Sequence, residues 1–252
     1  MLLVDIGNTN LKWILHADLE GGHAAHCHAW DATTLPALLN AQWSRLPLPQ
    51  RVVMASVAGP ADNRLIADWV TAQWGSSPTW VTTTAAARGV TNGYDDPAQL
   101  GVDRWAALVA AHHLFSGCKC VVDVGTALTC DVLTGDGRHL GGMISPGLTL
   151  MHTSLATATD GVDPTIDDRG IADTGLGTTT GAGVHIGTLA ALVGVIEHAQ
   201  RYATSVCGLP VTVILCGGDA GRVLPGLDPG TVQHEPELVL KGLALLAENG
   251  VD

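Results

Sequence analysis

Lysine is scarce in this sequence. The 252 residues include three: Lys12, Lys119 and Lys241. Basic residues number 12 against 24 acidic ones, a formal charge of -12. Affinity for phosphodiester backbones and anionic lipid surfaces comes from Lys and Arg, so nucleic acid and membrane are excluded as general partners. One Phe and two Tyr accompany seven Trp, too thin a supply of aromatics for a base-stacking platform. The six cysteines, Cys27, Cys118, Cys120, Cys130, Cys207 and Cys216, form no C-x-x-C pair. A chain this long and apolar needs no disulfide staples. Cys130 and Cys216 lie in apolar runs, where a thiol acts as a small hydrophobe. The reading is of reduced core thiols in a cytoplasmic protein. Met1 leads straight into an apolar strand without a basic n-region, so no signal peptide is expected. No stretch of about 18 uninterrupted apolar residues occurs, so no membrane span is expected.

What is present is core-forming material: 46% hydrophobic and 14% charged residues, enough for a globular α/β chain of one large or two medium domains. Residues 2–7 are a short apolar run ending in glycine, the pattern of a buried strand. Gly7-Asn8-Thr9-Asn10 is turn chemistry, and residues 11–15 return as a second strand of a hairpin. Helical spacing covers 31–46, 60–74 and 101–115, strands are expected at 51–57 and 79–83, and 88–98 is a loop. The pattern then restarts. Strands are expected at 120–127, 128–133, 139–144 and 211–216, and helices at 180–204 and 237–248. Residues 156–178, rich in Thr, Asp and Gly without a period, read as a loop excursion, and the His-rich segment 15–35 as an exposed hairpin with incidental histidines.

The restart is an internal repeat. Val4-Asp5-Ile6-Gly7-Asn8-Thr9 aligns with Val122-Asp123-Val124-Gly125-Thr126-Ala127, about half the chain away. The expected organisation is two similar α/β domains, 1–116 and 117–252, with one Asp-x-Gly turn each facing a shared cleft. Such a turn has a chemical use. Glycine lets the backbone approach a phosphate closely, and turn N–H groups with Asn8, Thr9 and Thr126 side chains can donate to its oxygens. The carboxylates of Asp5 and Asp123 cannot touch phosphate, but can hold a cation or its water shell. Lys12 adds a point charge on the strand leaving the first turn. Neither a P-loop nor a G-x-G-x-x-G fingerprint is present.

A second constellation runs from Asn92 to Arg104. It gathers Tyr94, Gly101, Val102, Asp103 and Arg104 at a helix start. Arg104 offers a planar fork for a carboxylate or a phosphate, and Asp103 can take the proton of an attacking hydroxyl. The plainer reading is an Asp near a helix N-terminus with a surface Arg.

Asp5-Ile6-Gly7-Asn8-Thr9, Gly101-Val102-Asp103-Arg104 and Asp123-Val124-Gly125-Thr126-Ala127 resemble the three signature motifs of the type III pantothenate kinases, a family that includes proteins first described as Bvg accessory factors. The resemblance extends to Asn92-x-Tyr94-x-x-Pro97-x-x-Leu100, Gly141-Gly142-x-Ile144-x-Pro146-Gly147, Thr180 followed by Gly187, Gly217-Gly218-Asp219-Ala220 and Leu238-x-Leu240-Lys241-Gly242-Leu243, in order along the chain. It implies two ribonuclease H-like domains of the acetate and sugar kinase, Hsc70 and actin superfamily, with ATP in the cleft between them. It implies ATP-dependent phosphorylation of pantothenate to 4'-phosphopantothenate, the first step of coenzyme A synthesis. It further implies that Asp5, Ile6, Gly7, Asn8, Thr9, Asn10, Leu11 and Lys12, with Thr126, bind ATP phosphates. Tyr94, Gly101, Val102, Asp103, Arg104 and Thr180 would line the pantothenate site, with Asp103 the proton acceptor. Asp123 would bind a monovalent cation, potassium or ammonium, and Mg²⁺ would arrive with ATP. A homodimer is implied, with the substrate site near its interface. Thr178-Thr179-Thr180 leaves the substrate threonine ambiguous, although spacing to Gly187 favours Thr180. Two other functions fit the fold: a kinase for another small hydroxyl substrate, and a non-catalytic accessory protein.

Overall fold

The computed structural model describes residues 1–162 and 175–248. The chain divides into two compact units, Met1–Leu114 with Glu237–Asp252, and Phe115–Pro236.

In the first unit, β1 (Leu2–Ile6) and β2 (Asn10–Leu15) form the expected hairpin. The short helix α1 (His16–Glu20) leads to β3 (His26–Ala29), and α2 (Leu35–Gln42) returns the chain to β4 (Val52–Ser56). After α3 (Pro60–Trp74) come β5 (Thr79–Trp80), the small ladder β6 (Ala86–Ala87) and β7 (Val90–Thr91), and α4 (Val102–Leu114). The sheet order is β3-β2-β1-β4-β5. β1 is antiparallel to β2 and parallel to β4, and a parallel neighbour requires a crossover such as α2 supplies. Leu2, Val4 and Ile6 face a core in which Trp43 meets Trp13 and Trp69 edge-on at 5.9 and 5.7 Å and stacks on Trp74 at 5.6 Å. Each such pair adds about 1 kcal/mol beyond its buried area.

Segment 15–35 is therefore more structured than composition suggested. β3 is an edge strand, and His26 and His28 stack over the buried Trp13 ring at 5.4 and 5.1 Å. Helix α2 starts at Leu35 rather than 31, because the Asp31 side chain accepts the amides of Thr33 and Thr34 at 2.8 and 2.9 Å and turns the chain first.

The second unit holds β8 (Lys119–Val124), β9 (Ala127–Leu133), β10 (His139–Pro146), α5 (Leu148–Ala158), α6 (Thr180–Cys207), β11 (Thr212–Cys216), α7 (Ala220–Val223) and β12 (Val232–His234). Its sheet order is β10-β9-β8-β11-β12. β8 is antiparallel to β9 and parallel to β11, as β1 is to β2 and β4. The repeat read from two short motifs is thus a repeat of whole sheets. One difference matters. Register pairs Ile6 with Leu11 but Val124 with Leu128, so the second turn is one residue shorter, and Thr129 stands opposite Asp123 where Lys12 stands opposite Asp5. The loop expected from 156 begins later, since α5 runs through Ala158; its part 163–174 lies outside the described residues.

Helix α6 is long and apolar enough to cross a membrane by length and composition. Its buried residues, Leu189, Leu192, Ile196, Ala199 and Ala203, recur at three- and four-residue spacing and join the core of the second sheet, which is the pattern of a core helix. Gly208 ends it in the left-handed region at φ +67°.

The last helix, α8 (Leu238–Ala247), belongs to the first unit although it follows the second in sequence. It lies so close to α4 that a Cβ on Gly242 would stand 1.9 Å from the Ala106 carbonyl oxygen. Arg51 Nη2 and Arg88 Nε donate to the Ala247 and Leu245 carbonyls at 3.2 and 2.9 Å, satisfying acceptors that the end of a helix leaves open.

Candidate active site

Asp5 lies one residue before the end of β1, directly opposite Lys12. Alternation along the strand sends Leu2, Val4 and Ile6 into the core and Asp5 to the other face. Gly7 N–H donates to the Asn10 carbonyl at 3.0 Å and closes the turn. Trp30 holds the turn from outside, with Nε1 donating to the Gly7 carbonyl at 3.2 Å and its amide to the Thr9 carbonyl at 3.1 Å. Asn8, Thr9 and Asn10 are exposed, so their polar groups face solvent. Ile6 and Leu11 are fully buried; like Gly7, they offer a ligand only backbone groups. Register adds Cys27 to the row, opposite Lys12 on β3. Burial pushes its thiol up, against the pull of Lys12 and with help from Asp5 and Glu237. Cys27 thus borders the phosphate-type turn, a position that only the pairing of β3 reveals.

The start of α4 is close to this turn. Val57 N–H donates to the Ile6 carbonyl at 3.0 Å, and a Cβ on Gly101 would meet Val57 Cγ1 at 3.8 Å and Asp103 Oδ1 at 2.5 Å. Glycine at 101 thereby leaves room for the Asp103 carboxylate, whose Oδ1 also accepts the Arg104 amide at 2.8 Å. Arg104 is 8% exposed, which overturns the plainer reading of a surface arginine. Its Nη1 donates to the Tyr94 hydroxyl at 3.0 Å, and its Cζ stands 5.6 Å from the Tyr94 ring centre. Val102 is buried as a packing residue. Beside this pair lies a cavity of about 460 Å³ lined by Gly93, Tyr94, Asp95, Asp96 and Gln99.

The second unit builds its acidic turn from three glycines. Gly125 N–H donates to the Ala127 carbonyl at 3.0 Å. Gly217 has φ +97°, and a Cβ there would lie 2.6 Å from Asp123 Oδ1 and 2.4 Å from the Val124 carbonyl oxygen. Gly147, which opens α5, is pressed on the turn itself: its Cβ would lie 2.1 Å from the Gly125 carbonyl oxygen, and its N–H donates to the Thr126 carbonyl at 3.0 Å. Asp123 Oδ2 is 3.6 Å from Cys216 Sγ. The Asp219 amide donates to the Val124 carbonyl at 2.9 Å; burial raises its carboxyl, and Arg222 opposes the shift. Gly147, Gly217 and Asp219 stand in motifs noted above, but their contact with Asp123 and its turn required the fold.

Of the three threonines before α6, Thr179 is the helix cap, its hydroxyl accepting the Ala182 amide at 3.2 Å. Thr180, the first residue of α6, lines a cavity of about 690 Å³ between α5 and α6, together with Ser154, Thr188 and apolar residues such as Leu150, Leu155 and Val184. The structure pairs Asp5 with Lys12 on neighbouring strands and links Gly101, through Val57, to the end of β1, with Asp103 at the same helix start and Arg104 joined to Tyr94. It gathers Asp123 and Thr126 in the second, and sets Thr180 at a groove of that unit.

Chemically, the first unit offers anion-binding turn groups, a lysine, a carboxylate at the start of α4 and a buried guanidinium held to Tyr94. That combination serves transfer of a phosphoryl group to an alcohol, where positioning and charge matter more than base strength. Comparison with known proteins agrees. A sequence profile of the type III pantothenate kinases matches residues 1–201. A type III pantothenate kinase of Nitrosococcus oceani is 36% identical over 256 residues, covering 99% of this chain and 94% of its own length. Among solved structures, a conserved Campylobacter jejuni protein assigned to the Baf family of transcriptional activators superposes with a TM-score of 0.62 at 18% identity, covering 98% of both chains. The activator of 2-hydroxyisocaproyl-CoA dehydratase from Clostridium difficile, solved with bound ADPNP, gives a TM-score of 0.52 at 13% identity over 98% of this chain and 93% of its own.

Proposed function

The chain belongs to the type III pantothenate kinase family, and from that premise we propose that it transfers the γ-phosphoryl group of ATP to pantothenate, the entry step of coenzyme A synthesis. The fold is that of the acetate and sugar kinases, Hsc70 and actin. The observation that carries the reading is the start of α4, where a buried Arg104 is joined to Tyr94, the Asp103 carboxylate accepts the Arg104 amide, and Gly101 adjoins Val57, whose amide bonds the end of β1. Purified protein incubated with γ-labelled ATP and pantothenate is expected to yield labelled 4'-phosphopantothenate. Label that stays in ATP, or moves to sugars rather than pantothenate, overturns the reading.

In this mechanism the turn 7–10 and Lys12 receive phosphate oxygens of ATP, and Thr126 is assigned the same phosphate-binding role in the turn of the second unit. Asp103 orients the primary hydroxyl of pantothenate and takes its proton late in the transfer. Arg104, with Tyr94, grips an anionic group of the substrates through its fork. Mg²⁺, when supplied with ATP, would offset charge on the phosphates. Asp123 fits a monovalent cation: it is half-buried, its carboxylate lies against Gly125 and Gly217, and no Cβ fills the space there. Replacing potassium by sodium at constant ionic strength is therefore expected to lower kcat/KM for ATP severalfold in steady-state assays. Kinetics indifferent to the cation would remove Asp123 from this role.

A homodimer accounts for an otherwise bare surface. Ile144, Leu150, Leu155, Tyr202 and Val206 on β10, α5 and α6 are exposed at 64, 45, 38, 53 and 48%, apolar side chains that a partner subunit would cover. Leu150 and Leu155 line the α5–α6 cavity together with Thr180, so pairing over that cavity would set the substrate site near the interface. All six cysteines are free, which suits a reducing cytoplasm.

A further inference from the structure

Asn92 carries no chemistry in the mechanism above, yet few polar side chains in the first unit are as fully used. It is 8% exposed. Its backbone N–H donates to the Ala85 carbonyl at 2.9 Å. Its Oδ1 accepts the Tyr94 amide at 3.0 Å, and its Nδ2 donates to the carbonyls of Thr84 and Pro97, both at 3.3 Å. The orientation of the amide is fixed by these neighbours: one N–H faces the oxygen and two carbonyls face the nitrogen, so the flipped form would satisfy none of them.

Three stretches of chain meet at this one side chain: 84–85, the residue Tyr94, and Pro97. The rest of the loop is closed locally, with Asp96 Oδ1 accepting the Ala98 amide at 3.1 Å. Its far end is strapped to the same stretch between β5 and β6, since Thr83 Oγ1 donates to the Leu100 carbonyl at 2.8 Å. Loop 93–100 therefore hangs from residues 83–85 at two points. The first point sets the backbone of Tyr94, whose hydroxyl meets Arg104; the second sets the residue before Gly101.

We propose that Asn92 is a positioning residue for the pantothenate pocket: its amide holds the Tyr94 backbone at the height from which the phenol reaches Arg104. The inference rests on the kinase reading above and deepens it, since it assigns a role in substrate affinity to a residue that touches no substrate. Losing buried partners on three carbonyl and amide groups is worth at least a tenfold effect in binding. That effect falls on the pocket of Tyr94 and Arg104, not on the phosphate turn held separately by Trp30.

The test is a double-mutant cycle in steady-state kinetics on Asn92→Ala, Tyr94→Phe and the double variant, with each substrate varied in turn. Asn92→Ala is expected to raise KM for pantothenate about tenfold or more and leave KM for ATP within about twofold. In the Tyr94→Phe background the same change is expected to lose most of its effect, because the contact it supports is already gone. Asn92→Ser keeps an acceptor for the Tyr94 amide and is expected to fall between; it serves as the single variant if Asn92→Ala fails to fold. An equal rise in both KM values, or full additivity with Tyr94→Phe, overturns the proposal. A wild-type protein inert toward pantothenate overturns the function itself, and this role with it.

Discussion

Asp103→Asn is expected to lower kcat by about 10²- to 10⁴-fold, the range a positioned acid or base contributes. The substitution is isosteric. Asn Oδ1 still accepts the Arg104 amide, the bond that Asp103 makes at 2.8 Å, and Gly101 still leaves it room. What is lost is the negative charge and the capacity to take the hydroxyl proton as the phosphoryl group transfers. ATP binding measured by calorimetry is expected to survive, because the turn 7–10 and Lys12 are untouched. Single-turnover rates separate the chemical step from product release. Turnover close to wild type would remove Asp103 from the proton-accepting role and leave it as a structural residue of the helix start.

Gly242→Ala is expected to produce a larger loss of stability than alanine at any other glycine among the described residues. The added Cβ would lie 1.9 Å from the Ala106 carbonyl oxygen and 2.4 Å from its carbon. Both obstacles are backbone, so no rotamer can relieve them and α4 and α8 must separate. Overpacking of this kind costs about 3 kcal/mol, which for a chain of this size lowers Tm by about 6–12 °C. Ala106 is two residues after Arg104 on the same helix, so displacement of α4 carries Asp103 and Arg104 with it. Thermal melts and kcat at a temperature where the variant is folded are expected to fall together. A variant with wild-type Tm would show that the two helices have slack at this crossing.

Much of this architecture could be read in advance, for a physical reason. A buried strand ending in Asp-x-Gly has few alternatives, and two such endings half a chain apart announced two related sheets. The helix starting near Gly101 and its acid–arginine pair were equally plain. What escaped was what depends on partners distant in sequence. Nothing in the composition of 26–29 says that His26 and His28 cover Trp13. Nothing local says that Arg104 is buried, because an arginine at a helix start is ordinarily solvated. The loss of the lysine in the second repeat is visible only once register pairs Thr129 with Asp123. The placement of α8 was hidden for a related reason: a repeat marks where strands begin, and a helix that closes an earlier unit leaves no trace in it.

The return of α8 to the first unit has a consequence for synthesis. The 115–236 portion is an insertion between two pieces of its neighbour, so during translation it emerges whole, while α4 waits with its packing face bare for a helix still inside the ribosome. The insert can thus fold before its host, and the helix that bears Asp103 acquires the support of α8 only after the insert has been synthesised.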